Sequence, residues 1–110
     1  MQQQFLATVC KKMSAATPYV IKQGFKHPQP VYRYASAVAV GNKGLKEMHV
    51  QLIELLDDDD VCVQQTARLV LKKMSKGQDF GPLPSCECQQ VQESMQMWRE
   101  WWKANEKKIK

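Results

Sequence analysis

The chain has 110 residues, 44% of them hydrophobic and 25% charged, with a formal net charge of +5. That balance suits one domain with a single hydrophobic core and excludes a disordered or fibrous chain. It also excludes a membrane-spanning helix, because the longest nearly apolar stretch, YASAVAVG at 34–41, falls far short of the roughly 20 residues a span requires.

The opening MQQQFLATVCKKM has no basic start, no sustained apolar run and no small-residue cleavage site, so no signal peptide is expected. Cys10, Cys62, Cys86 and Cys88 then read as reduced thiols of a cytoplasmic protein whose core needs no disulfide staples. Charge is uneven: residues 1–50 carry seven Lys/Arg against Glu47 alone, whereas residues 51–85 carry four against six acids. A basic front half attracts nucleic acid or acidic partners, or is simply a solvated lysine surface.

Helical periodicity runs through the chain. Phe5, Leu6, Val9, Cys10 and Met13 form the first stripe. Thr17 is placed to cap a second, short helix, and Pro18 fits its first position, where a missing N–H costs nothing. The prolines of KHPQP end it. The third helix puts Val31, Ala35, Val38 and Ala39 on one face and is expected to stop at Gly41. The fourth, GLKEMHVQLIELLDDDD, buries Leu45, Met48, Leu52, Leu55 and Leu56.

In the fifth, Val63, Ala67, Val70, Leu71 and Met74 point inward and Gln64, Arg68 and Lys72 outward, with Gly77 as the stop. The loop GQDFGPLPS leads to a last helix that Ser85 is placed to cap. There Val91, Met95, Trp98 and Trp102 share a face by three- and four-residue steps, with Trp101 beside them. No stretch alternates with period two, so the fold class is all-α.

Shifting the chain by 32 residues sets Ile21 on Ile53, Val31 on Val63, Ala35 on Ala67 and Ala39 on Leu71. A helix pair repeated at that spacing is a solenoid signature. On LIELLDDDD followed by VQQTARLVL, and on GQDFGPLP followed by WREWW, residues 17–103 resemble a bacterial HEAT-repeat protein. The resemblance implies about six helices in antiparallel pairs, stacked as a short right-handed α-solenoid. Residues 1–16 would cap its start, 17–44 and 45–77 would be the repeats, and 78–110 would be a loop and capping helix. The family often places an arginine after the valine of the second helix, pairing with the aspartate of the preceding turn. Tyr32 and Gln64 stand there instead, so that ladder is absent or replaced.

A stack leaves its last apolar face uncovered, and the tryptophan stripe is suited to seal it. Trp98 and either Trp101 or Trp102 are expected over helices four and five, with Phe80 beneath the loop. The rival role is one tryptophan left exposed as a partner anchor.

Chemistry-bearing patterns are sparse. Cys86-Glu-Cys88 is a single close pair, whereas zinc sites use two such pairs. A helix N-terminus at Cys86 would lower its pKa. Asp57–Asp60 lack the alternating oxygens and later glutamate of a calcium loop, and cap helix five instead. His27 and His49 have no nucleophile at motif spacing. GNKG is not a phosphate-binding loop. The expectation is therefore no catalytic residue, no metal and no cofactor.

Surfaces remain. In HEAT-like arrays the second helices line the concave side, which by position gives Tyr32, Arg33, Ser36, Gln64, Gln65, Arg68 and Lys72 as protein-binding candidates. Tyr and Arg combine stacking with forked hydrogen bonds. The alternative is nucleic-acid binding through Lys11, Lys12, Lys22, Lys26, Arg33, Lys43 and Lys46. Self-association through Phe5 and the first helix is a further expectation.

Overall fold

The six periodic stretches become six α-helices in the computed structural model, which describes residues 3–82 and 88–105, with side chains from Thr8 onward and, in the last helix, from Gln89 onward. They are α1 (Gln3–Ser14), α2 (Pro18–Gly24), α3 (Pro30–Lys43), α4 (His49–Glu54), α5 (Val61–Met74) and α6 (Cys88–Asn105). Short 3-10 turns, Lys46–Met48 and Leu55–Asp57, flank α4. Among the described residues there is no strand, and no helix is long and apolar enough to cross a membrane.

Local chemistry sets the helix starts. Thr17 Oγ1 accepts the Val20 N–H, and Pro18 and Pro30 occupy first-turn positions where no donor is needed. Asp60 Oδ1 accepts from both Cys62 N (2.8 Å) and Val63 N (3.2 Å), satisfying two orphan donors of α5. Of the four aspartates it is Asp60 that caps; Asp58 serves elsewhere.

Two helix boundaries differ from the sequence reading. α3 does not stop at Gly41 but continues to Lys43, where Gly44 at φ 64° takes the left-handed conformation that closes the helix on Val40 O. Gly41 serves packing: a Cβ there would stand 3.3 Å from both methyls of Val70 on α5. The fourth segment is not one helix either. Its six α-helical residues lie between two tighter turns, and Ile53 joins Leu52, Leu55 and Leu56 in the core while Leu45 is half-buried.

α3 is the central rod, with α1 along one side and α5 along the other; α2 packs on α3, α4 on α5, and α6 on α4 and the Leu55–Asp57 turn. Cover on several sides explains why Ala35, Ala37, Ala39 and Val40 are all buried, whereas Val38, expected inside, is half-buried. α3 and α5 run in the same direction, since Arg33 near the start of α3 bonds Asp58 just ahead of α5, while Gly41 meets Val70 near their ends. The radius of gyration, 13.2 Å, is that of one domain of this length.

Val91, Met95, Trp98 and Trp102 turn inward from α6 and Trp101 is half-buried. Trp98 is 0% exposed, meets Phe80 edge-on at 4.8 Å and donates its Nε1–H to Gly81 O at 2.9 Å. The seal thus forms chiefly over α4 and its following turn. Burying a large aromatic ring contributes about 1.5–3 kcal/mol. Ser85, Cys86 and the side chains of Phe5 and Leu6 lie outside the described residues.

Candidate interaction surface

Most of the proposed binding side chains on α3 and α5 tie the molecule together. Arg33, 16% exposed at its side chain, forms a fork on Asp58, Nε to Oδ2 at 2.7 Å and Nη2 to Oδ1 at 3.1 Å. Its Nη1 donates to His27 O and Pro28 O. All three guanidinium nitrogens are therefore engaged, and the hydrogen bonds that Arg33 donates to the Asp58 carboxylate raise the arginine pKa further above its ordinary value. Tyr32 lies against the His27 ring, centroids 4.1 Å apart.

On α5, Gln64 Nε2 donates to Leu56 O and Gln65 Nε2 to Pro82 O. Arg68 forks onto Asp79, Nε to Oδ1 at 2.9 Å and Nη2 to Oδ2 at 2.8 Å. That hydrogen bond holds the Asp79 carboxyl below the usual carboxylate range. The Gly77–Pro82 chain is thereby fastened across α5. Two forked Arg–Asp pairs thus form, at Arg33, one residue after Tyr32, and at Arg68, four residues after Gln64.

Ser36 corrects the sequence reading outright. It is 0% exposed with its Oγ unpartnered, and it faces Gly24 of α2 rather than solvent. A small side chain is needed there because the two helices approach closely. Lys72 alone among the seven candidates is exposed, and Leu69, one turn earlier on α5, is 60% exposed.

The lysines also have a geometry that was not legible beforehand. Asn42 Nδ2 donates to Ser14 Oγ and Lys43 Nζ to Ala16 O, which brings the C-terminal ends of α1 and α3 together. With α5 alongside, Lys11, Lys12, Lys43, Lys72 and Lys73 occupy the last turns of three adjacent helices. Cations there offset the negative ends of the helix dipoles. Arg33 is not part of this edge, being neutralised by Asp58.

Two clefts open on the α4 side. One, about 340 Å³, is lined by Lys26, Arg33, Gln51, Glu54, Asp57, Asp58 and Asp59 among others. The second, about 270 Å³, lies between α4 and α6, lined by His49, Val50, Ile53, Glu54, Arg99, Trp102 and Lys103. Here the His49 ring stacks on Trp102 at 4.6 Å and 14°, and its Nδ1 donates to Lys46 O at 2.9 Å.

Among the described residues, no group of three His, Cys, Asp or Glu side chains is placed to hold a metal ion. Burial pushes the Cys10 thiol above its ordinary pKa, away from nucleophilic use. No family model, curated protein or solved structure matches the chain.

Proposed function

We propose that this chain is a non-catalytic protein-interaction scaffold, a short right-handed α-solenoid of antiparallel helix pairs similar to HEAT repeats. One observation carries the reading: the two forked Arg–Asp pairs tie α3, α5 and the loop after α5 into a preformed platform. A rigid surface loses little conformational entropy on docking. Arg33, Gln64, Gln65 and Arg68 hold the platform, and the outward edge of α5, with Leu69 beside Lys72, meets the partner.

The test is affinity capture from the native source with the wild-type protein, Leu69→Asp, Lys72→Glu and, as a conservative control, Leu69→Met. A protein retained in stoichiometric amount by wild type and Leu69→Met but lost with Leu69→Asp supports the reading. Capture indifferent to Leu69→Asp and Lys72→Glu removes the α5 edge as the surface.

The clustered lysines at the ends of α1, α3 and α5 favour a second reading, sequence-independent nucleic-acid binding. Such binding weakens steeply as salt rises. A gel shift that shows no complex at low salt eliminates it.

A further inference from the structure

We propose that the cleft between α4 and α6 receives the carboxyl-terminal residue of a partner polypeptide. The inference rests on the protein-binding reading and adds to it a second site whose lining does not include the α5 edge residues Leu69 and Lys72.

The walls supply three chemistries at once. Arg99 and Lys103, one turn apart on α6, are exposed and make no ion pair among the described residues. An unpaired guanidinium beside an ammonium suits a carboxylate, which it can hold by a charge-assisted fork. Glu54, on the α4 wall, accepts no side-chain hydrogen bond or ion pair among the described residues and suits the amide N–H of a terminal residue. The half-exposed Val50 forms the accessible apolar part, with the nearly buried Ile53 and Trp102 as the floor beneath it, suited to a small aliphatic side chain. Trp102 also keeps its indole Nε1 buried with no acceptor among the described residues.

Charge and size narrow the ligand. Arg99, Lys103 and Glu54 sum to +1, which matches a monoanion; a phosphate dianion would meet Glu54 repulsion. The volume, about 270 Å³, lies just under the range of enclosed small-molecule sites, and its rim cations are open to water. A free small anion would be poorly covered there, whereas one residue at the end of a longer chain fills the space and gains contacts outside it.

The probes are N-acetylated hexapeptides ending in leucine, valine or phenylalanine, each as free acid and as carboxamide, with N-acetyl-leucine as the small-molecule arm. Binding is read from the Trp102 indole N–H signal in nitrogen-15 correlation spectra. At least one free acid is expected to shift that signal and to bind about tenfold more tightly than its amide. Arg99→Gln with Lys103→Gln should weaken it about tenfold, whereas Lys11→Gln with Lys12→Gln, the same charge loss on α1, should change it less than about twofold.

Equal binding of acid and amide overturns the proposal, as does a Trp102 signal unmoved by every peptide up to about 5 mM. N-acetyl-leucine binding as tightly as the hexapeptides overturns the polypeptide as occupant. Leu69→Asp should leave peptide binding intact, so loss of the α5 surface and loss of this cleft are separately visible.

Discussion

Gly24 and Ser36 form a pair whose energetics should reverse sign. A Cβ built on Gly24 collides with Ser36 Oγ, while its other neighbours, Met13 Cε at 3.2 Å and Ser36 Cβ at 3.3 Å, are only tight. In the wild-type background Gly24→Ala therefore forces the serine out of its rotamer or the helices apart, costing about 1–3 kcal/mol as overpacking. Against this stands a gain of about 0.5–1 kcal/mol from replacing a helical glycine, so the net effect is destabilising.

Ser36→Ala alone removes a buried hydroxyl that has no partner, which should stabilise by about 1 kcal/mol. In that background the hydroxyl clash is gone and only the tight contacts to Met13 Cε and the residue-36 Cβ remain. The flexible methionine end and a small helix shift relieve them, so most of the propensity gain survives and the same substitution becomes weakly stabilising. The coupling should be about 1–3 kcal/mol, measured by urea titration of the four proteins with a shared m-value. Additivity within about 0.5 kcal/mol would show that Gly24 and Ser36 do not touch as described.

Three further outcomes follow from other contacts. Trp98→Phe keeps most of the ring but leaves Gly81 O without its donor, and should cost about 1–3 kcal/mol in chemical denaturation; a neutral result would remove that bond from the account of the seal. Asp79 has a depressed pKa in the folded state, so its pairing stabilises above the unfolded carboxylate value near pH 4 and is lost as pH falls through the lower folded value. Because the pair is partly exposed, the stability gap between wild type and Arg68→Gln should be small, present at pH 7 and shrinking as pH falls below the unfolded carboxylate value and through the lower folded one; a gap independent of pH would contradict the pairing. Cys62 is exposed and Cys10 is half-buried with a raised pKa, so iodoacetamide on the native protein should modify Cys62 well before Cys10, as peptide mass spectrometry would report.

What could be read from the sequence depended on whether one neighbour or several decided a residue's place. The stripe Val91, Met95, Trp98, Trp102 lies on a helix covered from one side, and three- and four-residue spacing marks such a face directly. The caps at Thr17 and Asp60 act within three residues and were equally legible. α3 is different, because α1, α2 and α5 all lie against it. Ser36 then falls inside although its hydroxyl suggests water, and Gly41 admits Val70 although glycine in a helical pattern suggests a stop.

Most of the binding candidates hold the fold together for a related reason. Tyr, Arg and Gln suit partner recognition because they carry stacking surfaces and directed donors, and the same groups are what a stack needs to fasten its own layers. Spacing cannot tell the two uses apart, since Arg33 finds its acceptor 25 residues away and Arg68 finds its own 11 away. Donor accounting can. Arg33 uses Nε and both Nη atoms on Asp58, His27 O and Pro28 O, so offering any of them to a partner means breaking a bond already made. Among the described residues Arg99 and Lys103 have no such ion-pair partner to surrender, which makes the α4–α6 cleft a place where cationic recognition costs the fold little.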